Sequence, residues 1–134
     1  MCGIAGQLNL SKELKQNLLI NNSLSHRGPH NKNAIRLRKN LIFYHTRLKI
    51  IDLSNESNQP MSSENSRYTI IYNGELYNFK EIKNELEKKG YFFNTNGDTE
   101  VFLKGFIAYG INFFKKINGI FAVSIYDKKL NCIY

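Results

Sequence analysis

Both ends of the chain alternate between apolar and polar residues, which is the pattern of a β-strand with one buried face. The alternation runs from Gly3 to Leu10 and again from Gly119 to Asp127, where Asp127-Lys128-Lys129 predicts a turn. Strands at both ends with two or three helices between them indicate an α/β or α+β sheet protein. At 134 residues, the chain has the usual size of one domain.

The first helix and a hairpin are predicted directly after the first strand. Ser11 can cap a helix whose leucines recur at helical spacing. Residues 35–37 and 41–44 then predict a hairpin around Lys39-Asn40. The polar stretch 54–66 is expected to form a loop.

Asn73-Gly74 is the strongest turn signal in the sequence. It follows a β-branched and aromatic run from Tyr68 to Tyr72, and both Asn and Gly can take a positive φ in a tight turn. We therefore expect a strand that stops at Asn73.

Two further helices are predicted in the second half of the chain. Asn78 and Glu81 form a capping box for the first of them, which Gly90 closes. Asp98 is the expected N-cap of the second, which runs to Gly110. Both segments carry apolar residues at helical spacing.

Composition and charge argue against several classes of function. No apolar run approaches the roughly 20 residues that a bilayer span requires, and the first residues lack the features of a signal peptide, so we expect a cytoplasmic protein without a membrane partner. The net charge of +8 is carried by scattered lysine pairs rather than by an arginine-rich segment with interleaved aromatic residues. We therefore expect no nucleic-acid partner. No group of His, Cys and acidic residues has the spacing of a metal site.

The two cysteines differ in what their surroundings predict. Cys132 lies in a predicted strand and is expected to be a small buried residue, and both thiols are expected to be reduced. Removal of Met1 would give Cys2 a free α-amine, which is partly neutral near physiological pH and can accept the thiol proton. Taken alone, a chance Met-Cys start is the simpler explanation.

Several short motifs follow one another in order along the chain. They are Met1-Cys2-Gly3-Ile4-Ala5-Gly6, Ser25-His26-Arg27-Gly28-Pro29, the segment His45 to Leu53, Asn58-Gln59-Pro60-Met61, the segment Tyr72 to Asn78, Gly97-Asp98-Thr99-Glu100 and Gly119-Ile120-Phe121-Ala122. In this order they resemble the class II glutamine amidotransferases, and specifically the asparagine synthetase branch. The sugar-phosphate branch usually has an aromatic residue where Pro29 stands, and other branches lack the Gln59-Pro60 pattern.

The resemblance implies a fold and its extent. Residues 2–134 would form part of a glutamine amidotransferase type 2 domain of the N-terminal-nucleophile hydrolase type, which is an α+β, four-layer αββα sandwich with mainly antiparallel sheets. The chain stops at Tyr134, inside the domain as the family builds it. Later strands and the ATP-dependent synthetase domain are therefore expected to be absent.

The resemblance also implies a reaction. Cys2 would attack the side-chain amide of glutamine, form a γ-glutamyl thioester and release ammonia, after which water would free glutamate. The side-chain amide of Asn73 and the backbone N–H of Gly74 would stabilise the oxyanion. A plain hairpin turn remains the alternative interpretation of these two residues. His26 and His45 are interpreted as loop-packing or hydrogen-bonding residues rather than general bases.

A further set of residues would hold the free amino acid. Arg47 would bind the carboxylate of glutamine, since a guanidinium matches two carboxylate oxygens, and Asp98 and Glu75 would take the ammonium. The alternatives are that Arg47 is a surface cation and that Asp98 is only a helix cap. Backbone groups along Leu48, Lys49, Ile50 and Ile51 would line the pocket.

The expected function is the glutaminase part of a glutamine-dependent asparagine synthetase. Its partners would be glutamine and an ammonia-accepting synthetase domain, in the same chain or in another. The glutaminase step would need no cofactor or metal, and ATP and magnesium would act only in the synthetase domain. Two alternatives stay open: a non-catalytic glutamine-binding or interaction module, and an amidotransferase for another acceptor, such as a surface-polysaccharide sugar acid. His30 stands where family members normally carry aspartate, so a carboxylate expected to order that loop is missing.

Overall fold

The computed structural model describes residues 2–50 and 52–134, which form two sheets with helices on their outer faces. The strands are β1 (Gly3–Leu8), β2 (Asn31–Arg38), β3 (Leu41–Arg47), β4 (Met61–Ser62), β5 (Tyr68–Leu76), β6 (Gly119–Asp127) and β7 (Cys132–Ile133). The helices are α1 (Leu18–Ser23), α2 (Phe79–Lys88) and α3 (Asp98–Tyr109), followed by a 3-10 helix over Gly110–Lys115. None of these helices has both the length and the apolar character needed to cross a membrane.

Both sheets are antiparallel. The first has the strand order β1-β3-β2, and the second has the order β4-β5-β6-β7. The hairpin expected around Lys39-Asn40 is present as β2 and β3, whereas the stretch 54–66, expected to be a loop, includes the short strand β4. Gly3 pairs with Thr46, so the start of the chain lies beside the end of β3.

The layers of the fold follow from the alternation of side chains along the strands. In β5, Ile70 and Tyr72 pack with α2 and α3, whereas Ile71 packs with Phe43 of the first sheet. On the outer side of the first sheet, Tyr44 packs with Ile20 of α1. Each fully buried apolar side chain contributes roughly 1.5–3 kcal/mol. The α+β class and the four-layer αββα order are therefore as expected.

The first helix is shorter than the sequence predicted. It begins at Leu18, and its N-cap is Asn17, whose Oδ1 accepts the backbone N–H of Leu19 at 3.0 Å. Ser11 instead donates to Oδ1 of Asn9 through both its backbone N–H and its hydroxyl. The expected cap at Ser11 was wrong because this local turn competes with helix formation.

Asn73 and Gly74 do not form a turn. Both lie inside β5, where Asn73 pairs with Ala122 and Gly74 with Phe121 of β6. A Cβ on Gly74 would lie 2.4 Å from the Cβ of Phe121 and 2.5 Å from the carbonyl oxygen of Ile120. Glycine is therefore required here because two strands approach closely. The local sequence alone does not distinguish this requirement from the need for a positive φ in a turn.

The capping box predicted for α2 is also absent. Asn78 is the N-cap residue, but its side chain makes no capping hydrogen bond. Its amide instead donates to the carbonyl oxygen of Lys116 and accepts the N–H of Asn118, both at 2.9 Å. Gly90, with φ of +89°, follows the end of the helix as predicted.

Candidate active site

A pocket of about 350 Å³ lies where the start of β1, the end of β3, the middle of β5 and the first turn of α3 meet. The predicted site residues that line it are Cys2, Arg47, Leu48, Ile50, Asn73, Gly74, Glu75 and Asp98. Lys49 does not line the pocket, because its ammonium donates to the carbonyl oxygen of Leu53 at 2.9 Å and to Oδ1 of Asn55 at 3.2 Å. Ile51 lies outside the described residues.

The thiol of Cys2 lies against the backbone of Leu48. The N–H of Leu48 donates to Sγ at 3.4 Å, and Sγ is 3.8 Å from the carbonyl oxygen of the same residue. Nε of Arg27 donates to the carbonyl oxygen of Cys2 at 3.2 Å. A Cβ on Gly3 would lie 2.6 Å from Oγ1 of Thr46, so the small residue after Cys2 allows the chain to approach β3 this closely.

Arg47 is buried, with 5% of its surface exposed, and it is not the surface cation that remained an alternative. One terminal nitrogen donates to the carbonyl oxygen of Ser54 and to Oδ1 of Asn58, the latter at 2.8 Å, and the other donates to the carbonyl oxygen of Asp52. Three of the five guanidinium N–H groups are thus engaged, which holds the plane of the group while leaving donors for a ligand.

Asp52 organises the loop that holds Arg47. Its Oδ1 accepts the N–H of Ser54 at 2.7 Å, and its Oδ2 accepts the N–H of Asn96 at 2.8 Å. These hydrogen bonds, first those from Ser54, lower the pKa of the carboxyl below its usual range. The role of Asp52 is not evident from the sequence, because its partner Asn96 is distant in the chain.

Asn73, Gly74 and Glu75 reach the pocket from β5. Asn73 lies on the same face of the strand as Ile71, which points toward the first sheet, and its side chain is half-buried. Gly74 and Glu75 are exposed at the pocket. The strand therefore brings a side-chain amide and a side-chain-free backbone position to the edge of the pocket that Cys2 also lines.

Asp98 is the first residue of α3 rather than its N-cap, which is Gly97. Its carboxylate turns away from the helix end, and Oδ2 accepts the hydroxyl of Tyr72 at 2.9 Å and the N–H of Leu76 at 3.0 Å. Burial raises the pKa of Asp98, while these hydrogen bonds act in the opposite direction. The prediction of Asp98 as the N-cap was wrong. Its carboxylate accepts hydrogen bonds from residues of β5 instead of from the backbone N–H groups of the first helical turn.

Gln59 supports the same strand from below the pocket. It is buried, and its Nε2 donates to the carbonyl oxygen of Tyr72 at 3.1 Å and to Oγ1 of Thr99 at 3.2 Å. Its Oε1 accepts the N–H of Tyr72 at 2.6 Å. One side-chain amide thus satisfies both backbone groups of the residue that precedes Asn73. In the sequence, Gln59 stands out only as part of the Asn58-Gln59-Pro60-Met61 motif.

Within residues 2–50 and 52–134, no histidine makes a hydrogen bond to the thiol of Cys2. His45 is fully buried, and neither ring nitrogen has a partner among residues 2–50 and 52–134. Burial, opposed by the nearby backbone of Tyr72 and assisted by the charge of Arg47, lowers the pKa of His45 to about 4, so the ring is neutral near pH 7. His26 is exposed. His30 accepts the N–H of Lys49 at Nδ1, so this loop has an acceptor although the expected carboxylate is missing.

The charges around the pocket suit a zwitterion. Arg47 supplies a cation, and Asp52, Glu75 and Asp98 supply carboxylates. A free amino acid carries one group of each sign, and both can be matched in such a pocket.

Comparisons with known proteins show the family to which the chain belongs. The family model for the glutamine amidotransferase domain matches residues 1–134. Asparagine synthetase [glutamine-hydrolyzing] 1 of Bacillus subtilis is 40% identical over 140 residues, which cover 100% of this chain and 22% of that protein. Asparagine synthetase 3 of the same organism is 36% identical with the same coverage. Asparagine synthetase B of Escherichia coli is 31% identical over 96% of this chain and 24% of its own length.

A solved structure supports the fold. The glutamine phosphoribosylpyrophosphate amidotransferase of B. subtilis superposes with a TM-score of 0.58 and 25% identity, over 68% of this chain and 22% of that one. The fold is thus of the N-terminal-nucleophile hydrolase type, as the motifs implied. The chain spans about a fifth of the length of these relatives. By the match along its whole length, the chain belongs to the glutamine amidotransferase domain family.

Proposed function

We propose that the chain hydrolyses glutamine to glutamate and ammonia, as the glutaminase part of a glutamine-dependent asparagine synthetase. The observation that carries the proposal is the convergence of Cys2, Arg47, Asp98 and the Asn73-Gly74 strand segment on one pocket. The relatives named as glutamine-hydrolysing asparagine synthetases support the same assignment.

In the proposed reaction, Cys2 is the first residue of the mature chain. Its α-amine accepts the thiol proton, and the sulfur attacks the side-chain carbonyl carbon of glutamine. The oxyanion that forms accepts hydrogen bonds from the Asn73 amide and the Gly74 N–H. Collapse of this intermediate breaks the carbon–nitrogen bond, the protonated amine returns its proton to the leaving nitrogen, and ammonia departs from a γ-glutamyl thioester.

Hydrolysis of the thioester completes the cycle. The α-amine of Cys2 takes a proton from water, which attacks the thioester carbonyl, and the same two donors stabilise the second oxyanion. The sulfur leaves and recovers the proton, and glutamate dissociates. Arg47 on the carboxylate and Asp98 with Glu75 on the ammonium hold the substrate in place through both steps.

The amidation step belongs to a synthetase part in the same chain or in another. We propose that this part takes the ammonia and uses ATP and magnesium to amidate aspartate.

The test is a glutaminase assay on the purified full-length protein. Glutamate should form from glutamine with the unmutated protein and not with Cys2→Ala, and intact mass spectrometry should show that Met1 has been removed. Equal rates for both proteins would refute the proposal. Glutamine binding to Cys2→Ala in a calorimeter, combined with no turnover by the unmutated chain, would favour a non-catalytic binding module instead.

A further inference from the structure

His30 holds the backbone on both sides of Leu48, the residue that contacts the thiol of Cys2. The backbone N–H of His30 donates to the carbonyl oxygen of Arg47 at 3.0 Å. Its ring nitrogen Nδ1 accepts the N–H of Lys49, also at 3.0 Å. Between these two contacts lies Leu48, whose N–H and carbonyl oxygen are 3.4 Å and 3.8 Å from Sγ of Cys2.

The loop that carries His30 packs closely against the backbone of Thr46 and Arg47. A Cβ on Gly28 would lie 2.3 Å from the backbone of Thr46 and 2.5 Å from the nitrogen of Arg47. Oγ1 of Thr46 also donates to the carbonyl oxygen of Leu24 at 3.0 Å. His30 therefore lies at the end of a closely packed loop, and its ring contacts the backbone just beyond Leu48, at Lys49.

We propose that His30 is a positioning residue for Cys2, which fixes Leu48 against the sulfur only while Nδ1 is unprotonated. An imidazole accepts a hydrogen bond at Nδ1 only when that nitrogen carries no proton, and histidine changes its charge between about pH 5 and 8. A protonated Nδ1 cannot accept the hydrogen bond from the N–H of Lys49. The inference rests on the proposed function for its activity readout alone.

The charges near His30 strengthen this dependence. The chain contains no Asp or Glu between Glu13 and Asp52. Besides His30 itself, the ionisable side chains of residues 24–32 and 45–50 are His26, Arg27, Lys32, His45, Arg47 and Lys49, and the thiol of Cys2 lies against Leu48. These segments supply no carboxylate that could pair with the ring once it is protonated. Protonation should therefore release the backbone at Lys49.

Matched variants separate the hydrogen bond from the bulk of the ring. In His30→Asn, Oδ1 is attached to Cγ as Nδ1 is in histidine, and it accepts at every pH. His30→Asp also supplies an acceptor. His30→Ala removes it. His26→Asn is the control, because His26 is an exposed histidine of the same loop whose ring makes no hydrogen bond to Lys49 in the part of the chain that the structure describes.

The experiment measures kcat/KM for glutamine between pH 5.5 and pH 8 for these proteins. A net hydrogen bond is worth about 0.5–1.5 kcal/mol, so His30→Ala should lose roughly two- to tenfold at pH 8, and His30→Asn should restore that loss. As the pH falls, the unmutated protein should approach His30→Ala, while His30→Asn stays ahead by a similar factor. His26→Asn should follow the unmutated profile. Superimposable profiles for the unmutated protein and His30→Asn would overturn the inference.

A second readout does not need turnover. In nuclear magnetic resonance spectra, the amide signal of Lys49 should titrate together with the His30 ring in the unmutated protein and should lose that titration in His30→Asn. An amide signal that ignores the His30 titration would overturn the inference even in an active enzyme. If the protein shows no turnover but the Lys49 signal follows the titration of His30, the proposed function would be refuted. The contact between His30 and Lys49 would then still be established.

Discussion

The hydroxyl of Tyr72 donates to the carboxylate of Asp98 at 2.9 Å, inside a pocket where burial raises the pKa of that carboxyl. Because the folded state holds the Asp98 proton more tightly than the unfolded chain does, an ionised Asp98 at neutral pH lowers the free energy of unfolding. Asp98→Asn removes the charge and keeps an acceptor for Tyr72. We expect a higher urea midpoint at pH 7 together with a much higher KM for glutamine. A lower midpoint would contradict the assignment of Asp98 as a binding group that is retained at a cost to stability.

Arg47→Lys tests the recognition of the substrate carboxylate. Lysine keeps the charge but cannot make the three hydrogen bonds to residues 52–58 and also bind a carboxylate with two nitrogens. A hydrogen bond to a charged group is worth about 1.5–3 kcal/mol, so KM for glutamine should rise on the order of ten- to a hundredfold. Lys49→Arg is the matched control, since the ammonium of Lys49 lies outside the pocket, and it should leave KM unchanged.

Gly74→Ala tests the close approach of β5 and β6. The added Cβ would meet the backbone of β6, which cannot move aside as a flexible side chain can. Overpacking of this kind costs typically about 1–3 kcal/mol. We expect a lower free energy of unfolding and a reduced kcat. Gly6→Ala provides the comparison, because its Cβ would come no closer than 3.7 Å to Phe43, and thermal melts of the two variants should differ clearly.

His45 predicts how stability depends on pH. Its pKa is lowered from 6.5 to about 4 by burial, so the unfolded chain binds this proton more readily than the folded one. The free energy of unfolding should therefore fall as pH drops from about 6.5 to 4, by on the order of 3 kcal/mol. His45→Leu removes the titrating group. Urea unfolding between pH 4 and pH 7 should show a flatter dependence for the variant, and parallel curves would exclude His45 as the cause.

The sequence predicts the elements of this fold better than their ends. Alternation placed β1 and β6 correctly, and the glycines at 90 and 110 marked the ends of α2 and α3. Ser11 and Asn78 were assigned as caps from local spacing alone. In the structure their side chains bind Asn9, Lys116 and Asn118, and a cap preference of about 1 kcal/mol yields to such contacts.

The candidate site was also predicted from the sequence only in part. The motifs identified Cys2, Arg47, Asn73, Gly74, Glu75 and Asp98, which line the pocket, because their side-chain chemistry is specific, whereas Lys49 does not line it. Asp52 and Gln59 received no role, since each acts through backbone groups of Asn96 and Tyr72, which are far along the chain. The position of Gly74 in a strand was missed because Asn-Gly is also the preferred pair for a tight turn.

The contact between Gln59 and Tyr72 also affects what can join the second sheet. At the end of a short strand such as β4, the neighbouring strand normally exposes N–H and C=O groups, which can recruit an extended peptide or a second chain. The amide of Gln59 occupies both groups of Tyr72, directly beside the pocket. An extended peptide therefore finds no free backbone hydrogen-bonding groups on Tyr72. This edge resists aggregation, while the pocket stays open to a small molecule.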